Sequence, residues 1–331
     1  MEALLEQCLT SLILADRESC GKMDVIIVND GSTDHSFEIA HTYAEKYPEM
    51  FSVIDKENGN YGSCINAALP YVKGKYVRIL DADDSYNTDE LPGFLNVLEE
   101  HNIDLVLTDF QKIGSKGEVL ETIGMPLPSN KELTMADLSA DMFVEMHKVT
   151  YRSSIFKEID YHQTEGVSYT DLEWVFHPMS RVKTLFYYNN VIYSYLVGRE
   201  GQTIDAMTVL KRLSHMEKGL WTQLKVFKDI SKSNLAYNYL ISVVDYRVKL
   251  LYIYGLDRKA VFDLVAFDKR LKEEYPDIYE RASSITLPMK FFNIHVPIVN
   301  MWRKVKSRKK MYLFPLYDLY VITNRLKICN K

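Results

Sequence analysis

Apolar positions at Leu4, Leu5, Cys8, Leu9, Leu12 and Ile13 recur with helical spacing and predict an amphipathic helix over residues 2–15. The next run, Asp24-Val25-Ile26-Ile27-Val28, is short and β-branched, the pattern of a buried parallel strand. A helix over 34–46 follows, with Phe37, Ile39, Ala40, Tyr43 and Ala44 for its inner face. Then come a strand at 51–54, a short helix at 61–69 after the Gly59/Gly62 turn, a strand at 75–80, a helix at 89–99 and a strand at 104–108. Strand and helix exchanging across short loops predict a doubly wound α/β sheet. The opening helix breaks this rule, because a right-handed crossover begins on a strand and none precedes it. The expectation is a chain that starts after its first strand.

The alternation stops at residue 109. Residues 110–130, with Gly114, Gly117, Pro126 and Pro128, read as an irregular or hairpin excursion. Residues 134–180 read as mainly helical, and 184–188 and 191–196 as two strands. From Ala206 onward the pattern is helical, broken at Pro276, Pro288, Pro297 and Pro315, which puts a boundary near residues 200–206.

Composition changes this picture little. The chain has 331 residues, 47% hydrophobic and 26% charged, which excludes fibrous and wholly disordered classes. No apolar run reaches the roughly 18 residues of a membrane span. Four widely spaced cysteines indicate neither a disulfide framework nor a zinc site, so a reduced, cytoplasmic protein is expected. Charge is more informative. Residues 301–331 hold nine Lys/Arg and one acid, a balance of +8, so the rest carries −5 − 8 = −13. An acidic body argues against nucleic acid as the partner.

Candidate chemistry sits in two acidic loops at strand ends, Val28-Asn29-Asp30-Gly31-Ser32-Thr33-Asp34 and Asp81-Ala82-Asp83-Asp84. Ligands of open α/β folds bind outside the carboxyl ends of strands, which places both loops at a site. Helix capping accounts for Ser32 to Asp34 but not for Asn29 and Asp30. Three carboxylates within four residues repel one another unless a cation neutralises them; a solvated turn is the alternative. An EF-hand beginning at Asp81 fails, because Tyr86 and Pro92 stand where Gly and Glu are required. An aspartyl-nucleophile phosphatase stays open on these residues alone. Further on, Tyr169-Thr170-Asp171-Leu172-Glu173-Trp174 puts two acids at a predicted helix start, where the dipole alone would favour them. An aromatic strand from Tyr193 then runs into a loop carrying Arg199 and Gln202, where the Arg could clamp a phosphate or simply pair with Glu200.

The order of these pieces, with Glu57-Asn58-Gly59-Asn60-Tyr61-Gly62-Ser63-Cys64-Ile65-Asn66-Ala67-Ala68 between the two loops, resembles the family-2 glycosyltransferases, inverting enzymes of the GT-A fold. The resemblance spans roughly residues 1–204. It implies a GT-A-type doubly wound mixed sheet with a Rossmann-like nucleotide-binding half (1–108), an acceptor and catalytic-base half (109–204) and a mainly helical C-terminal region (205–331). It implies a nucleotide-diphosphate sugar donor, with UDP favoured, and a Mn²⁺ or Mg²⁺ cofactor. Carried over residue by residue, Asp30 would contact the donor base and Asp81 the ribose. Asp83 and Asp84 would hold the metal, Asp171 would act as base, and Arg199 with Gln202 would meet the leaving group.

Two departures stand out: Thr170 occupies the usual Glu of a Glu-Asp pair, and the first donor-binding strand is missing. The implied acceptor is a glycan or a lipid-linked sugar in cell-surface polysaccharide synthesis. The basic run 303–310, flanked by aromatics, suits peripheral contact with anionic lipid at the inner face of the plasma membrane, a solvated helix face being the plainer reading. A non-catalytic glycosyltransferase-like protein that binds a nucleotide or a partner is the alternative function.

Overall fold

The structure is a computed structural model that describes residues 1–15, 17–198, 206–257, 259–289 and 294–305. The chain divides into two compact units, one of residues 1–202 with 229–240, the other of 203–228 with 241–331.

The first unit opens with α1 (Glu2–Thr10) and α2 (Arg17–Cys20), then β1 (Val25–Asp30), α3 (Ser36–Lys46), β2 (Phe51–Lys56) and α4 (Asn60–Ala68). It continues through β3 (Tyr76–Val77), β4 (Ser85–Tyr86), α5 (Leu91–Glu100), β5 (Leu105–Ile113), β6 (Val119–Ile123), β7 (Glu132–Thr134), β8 (Val149–Arg152), α6 (Ser154–Glu158), α7 (Asp171–Met179) and β9 (Thr184–Leu196). Seven strands form a mixed sheet in the order β3-β8-β5-β9-β4, with β6 on β5 and β7 on β9. β5 runs parallel to β9 and antiparallel to β8, and its Leu105, Val106, Leu107 and Thr108 are fully buried. The mixed α/β class expected from sequence is the one observed.

β1 and β2 pair in parallel as a separate two-stranded sheet. All six residues of β1 are only partly buried, although its β-branched run reads as a strand covered on both faces. The apolar stripe of α1 nonetheless finds a core: Leu5, Leu9 and Leu12 pack with Met50 and Phe51, and Leu80, Ala82 and Tyr86 close around them.

Three local expectations are corrected. The strand read at 75–80 pairs only over Tyr76–Val77, and the side chain of Arg78 turns inward to the hydroxyls of Thr108 and Thr150, 3.0 Å from each. The mainly helical reading of 134–180 misses β8. Val149, Thr150 and Tyr151 are buried against β5, so tertiary pairing overrides the local pattern. The two strands read at 184–188 and 191–196 are one, β9, and register shifts opposite Asp109 absorb the Asn189-Asn190 step that looks like a turn.

The second unit contains α8 (Ala206–Lys211), α9 (Leu213–Lys228), most of α10 (Tyr237–Gly255), α11 (Leu264–Glu274), α12 (Pro276–Ala282), a small hairpin of β10 (Leu287–Met289) and β11 (Ile294–Val296), and α13 (Ile298–Val305). No described helix is long and apolar enough to cross a membrane. Arg303, first of the basic run, is turned inward. Its guanidinium meets Asp268 Oδ1, the Tyr252 hydroxyl, the Tyr279 carbonyl and Ser283 Oγ, each at 2.8 Å. Arg303 is therefore engaged inside this unit, while residues 306–310 lie outside the described residues.

Candidate functional site

The second acidic loop is a tight turn between β3 and β4, closed by the Asp84 amide donating to the Asp81 carbonyl. Asp84 is 3% exposed and fastened to β9: the Tyr193 hydroxyl donates to Oδ2 at 2.6 Å and the Leu196 amide to Oδ1 at 2.8 Å. The same Tyr193 oxygen accepts from the Asp81 amide at 3.2 Å, so one buried phenol spans both ends of the loop. Burial drives the pKa of Asp84 up to about 7, against the pull of those two hydrogen bonds and with help from the Asp81 charge. Burial likewise lifts Asp81 to about 6, opposed by a hydrogen bond from Tyr61 and aided by the charge of Asp171. Two carboxylates that resist ionising side by side are suited to a cation, which would take the place of their protons.

A histidine that the sequence pattern did not single out faces them. His147 lies in the single 3₁₀ turn Met146–Lys148 before β8. Atoms of Asp81, Asp84 and His147 able to ligate a metal all lie within 4.8 Å of one another; Asp83 is not in that group. The imidazole stacks on Tyr195 with centroids 4.6 Å apart and touches Phe110 and Tyr193 at 4.9 and 4.8 Å. Burial, and behind it the charges of Arg78, Lys148 and Lys112, drives its pKa down to about 3, so the ring is neutral at physiological pH.

Asp171 opens α7, far along the chain, yet its charge acts directly on Asp81, Tyr61 and Tyr195. The fold reaches this juxtaposition through α4. A Cβ on Gly62 would lie 2.1 Å from the Thr164 carbonyl oxygen, so only glycine lets the 163–164 backbone press onto that helix. One turn on, Asn66 accepts from the Gln163 amide at 2.8 Å and donates to its carbonyl at 2.9 Å. Gln163 in turn donates to the carbonyl and hydroxyl of Thr170 at 3.0 and 2.9 Å. Thr170, where the family pattern has Glu, is thus a buried strut that sets the start of α7. Its neighbour Tyr169 has φ +65°, a left-handed conformation that a bulky residue adopts only when its surroundings impose it.

The first acidic loop is built differently. Asp30 Oδ1 accepts from Lys56 Nζ at 2.6 Å and the Gly59 amide at 2.9 Å, and Oδ2 from the Asn60 amide at 2.9 Å. Partial burial works against ionisation here, but Lys56 and these amides outweigh it and hold the pKa below the usual carboxylate value. Asn29 donates to Asp55 at 2.9 Å and accepts from the Ser32 amide at 3.1 Å. Both residues left unexplained by helix capping therefore have partners that shape the loop and the entry to α4.

Of the residues expected from sequence, Asp81, Asp84 and Asp171 come together, Asp83 stands beside them, and Asp30 anchors α4. Arg199 and Gln202 lie outside the described residues. Sequence reasoning missed His147 and Arg78 and gave Tyr61 no role of its own. Tyr61 carried a signal, its place in the glycine-rich segment between the loops; a lone His in a stretch read as helix carried none.

Comparison with known proteins agrees with this geometry. The sequence model described as "Glycosyl transferase family 2" matches residues 2–160. The uncharacterized glycosyltransferase EpsJ of Bacillus subtilis is 28% identical over 142 residues, 43% of this chain and 40% of its own length. The poly(ribitol-phosphate) beta-N-acetylglucosaminyltransferase TarS of Staphylococcus aureus is 24% identical over 209 residues, 63% of this chain and 36% of its own. The chain thus spans less than half the length of these curated relatives. The crystal structure of S. aureus TarS 1–349 superposes with a TM-score of 0.61 at 16% identity, covering 100% of this chain and 89% of that one, and so shares the fold. A second structure of that fragment, in complex with UDP-GlcNAc, has a TM-score of 0.50 at 19% identity, covering 86% and 76%. Residues 2–160, which hold both acidic loops, match glycosyl transferase family 2, and the chain shares the fold of TarS.

Proposed function

We propose that this chain is an inverting glycosyltransferase that moves a sugar from a UDP-sugar to a hydroxyl of a cell-surface glycan or polyol-phosphate polymer. The observation that carries the reading is the approach of Asp171, which opens α7, to Asp81 in the second acidic loop, from two distant parts of the chain. UDP as the nucleotide, and a polymer of the bacterial surface as acceptor, are favoured by the likeness to TarS and to its fragment bound to UDP-GlcNAc.

In this reading Asp171 accepts the proton of the acceptor hydroxyl as its oxygen bonds to the anomeric carbon. The bond from that carbon to the diphosphate oxygen breaks on the opposite face, and the electron pair leaves with UDP. A single displacement of this kind inverts the anomeric centre. The family that residues 2–160 match implies a divalent cation, and the donor chemistry fits Mn²⁺ or Mg²⁺: Asp81 and Asp84 offer carboxylate oxygens, with Asp83 next to Asp84 in sequence. When bound, such an ion neutralises charge on the departing diphosphate. Asp30 acts on the donor base through the loop it shapes, and Arg199 with Gln202 meets the leaving group.

The test is a thermal-shift titration of the full chain with UDP, GDP and CDP, each with and without Mn²⁺, followed by UDP-release assays on Asp171→Asn. Stabilisation by UDP above the other nucleotides, with UDP release lost in the variant and UDP binding kept, is the expected result. Binding without any turnover in the parent protein would favour the non-catalytic nucleotide-binding alternative. Turnover at the parent rate in Asp171→Asn would remove this residue as the base.

A further inference from the structure

We infer that His147 is a protein ligand of the divalent cation, completing with Asp81 and Asp84 a three-residue site in which a ring nitrogen joins the two carboxylates. The inference deepens the proposed function and rests on that reading's cation. Its geometry stands on the structure alone: three potential ligand atoms from two distant segments converge within 4.8 Å. One ring nitrogen, Nδ1, is buried and has no hydrogen-bond partner, an arrangement that a neutral imidazole in a structural role does not leave without cost.

The ring is also held in place before any ion arrives. Tyr195 stacks on it at an interplanar angle of 25°, and Phe110 and Tyr193 close its other sides. Tyr193 simultaneously donates to Asp84, so one residue orders two of the three ligands. The main chain is pinned as well, because the Arg78 guanidinium donates to the His147 carbonyl. Arg78 lies over the rings of Tyr86, Phe94 and Tyr193, with centroids 5.5, 5.6 and 6.0 Å from its central carbon. These contacts to the ring and its main chain restrict the orientation of the imidazole. A mixed nitrogen and oxygen set favours Mn²⁺ over Mg²⁺, which prefers oxygen and water.

The competing role for His147 is that of an aromatic spacer between Tyr195 and Phe110. Mn²⁺ titration of the full chain, read by the electron paramagnetic resonance of free Mn²⁺, separates the two. Pulsed measurements on the bound ion add a direct readout of coordinated ¹⁴N. The expected result is a nitrogen coupling that changes on labelling with ¹⁵N-histidine, which needs no mutation. In His147→Phe, which keeps the stacked ring, the coupling should vanish and Mn²⁺ affinity should fall at least about tenfold. An oxygen-only spectrum, wild-type affinity in His147→Phe, or no Mn²⁺ binding by the parent would each overturn the inference. UDP binding in EDTA is scored separately. If UDP binds without metal while histidine is absent from the ion, only the ligand assignment fails. If ¹⁵N-sensitive Mn²⁺ binding is present and no nucleotide binds, the ligand stands and the proposed function fails.

Discussion

The two acidic loops look alike in sequence and are opposite in physics. In the first, Asp30 is met by Lys56 and two backbone amides, so its charge is satisfied and its pKa lowered. In the second, the buried Asp84 and the partly buried Asp81 lie beside each other and near Asp171, and the pKa values of Asp81 and Asp84 rise to about 6 and about 7. The first loop spends its carboxylate on holding α4; the second holds unsettled charge at a place where a ligand can settle it. Perturbation of that second kind is common at working sites.

The largest effect that would sharpen this contrast is at the residue that works with the second loop. Asp171→Asn should lower sugar transfer by about 10²–10⁴-fold, the range of a general base, with UDP affinity within a factor of a few. UDP-sugar turnover together with calorimetric UDP binding checks both halves. Next is Asp84→Asn. The amide keeps an acceptor oxygen for β9 but cannot carry the charge, so Mn²⁺-dependent stabilisation should disappear. The metal-free protein at pH 8 should melt no lower than the parent, because a buried charge is gone. If Asp84→Asn keeps its response to Mn²⁺, the second loop is not the cation site.

Much of this was legible beforehand, for physical reasons that differ from element to element. Helical periodicity is a local property, so α1, α3 and α5 follow from the sequence. The first acidic loop follows from its place at the end of β1, whereas the second, read at the end of a strand over 75–80, lies between the short β3 and β4. β8 was not legible because four residues, Val149 to Arg152, are too few to show a period, and what makes them a strand is β5 beside them. β9 was split because Asn189-Asn190 imitates a turn that the parallel register of β5 overrides. His147 was invisible because its significance lies in Asp81 and Asp84, more than sixty positions away, and in the rings that aim it. Gly62 and Asn66, read as members of a motif, prove to be the fastening between α4 and the segment before Asp171.

A smaller effect belongs to the first loop. Asp30→Ala removes the hydrogen bonds from Lys56, two backbone amides and Ser63 Oγ, and strands Lys56, whose side chain is 22% exposed, with the carbonyl of Glu57 and Ser63 Oγ. The expected loss is about 2 kcal/mol of stability, the scale of one or two hydrogen bonds to a charged group. Mn²⁺ affinity should stay within a factor of about three, since no ligand of the ion is touched. Chemical denaturation and Mn²⁺ titration of the same variant test this pair. A variant of unchanged stability would mean that Asp30 is not the anchor of α4. One that loses Mn²⁺ binding as steeply as Asp84→Asn would erase the distinction between the loops.

The smallest effect is the most diagnostic, because the two loops should respond to pH with opposite sign. Asp30 has a folded pKa below its ordinary 3.8, so its contribution is present above that value and is lost as pH falls through the folded pKa. Asp81 and Asp84 have folded values of about 6 and about 7, above the same ordinary 3.8. Their contribution is complete below 3.8 and is lost as pH rises through those folded values. Melting temperature in EDTA should therefore peak near pH 4 as far as these groups decide it, and fall by several degrees as pH rises from there to about 7. Asp84→Asn should flatten the upper part of that drop, and Asp30→Ala should change only the acid side. Mn²⁺ inverts the second limb: it binds the ionised carboxylates, so its stabilising shift should be larger at pH 8 than at pH 5.5. A melting profile flat from pH 5 to 8, or a Mn²⁺ shift that does not grow with pH, would show that the charge in the second loop is already settled by the protein itself.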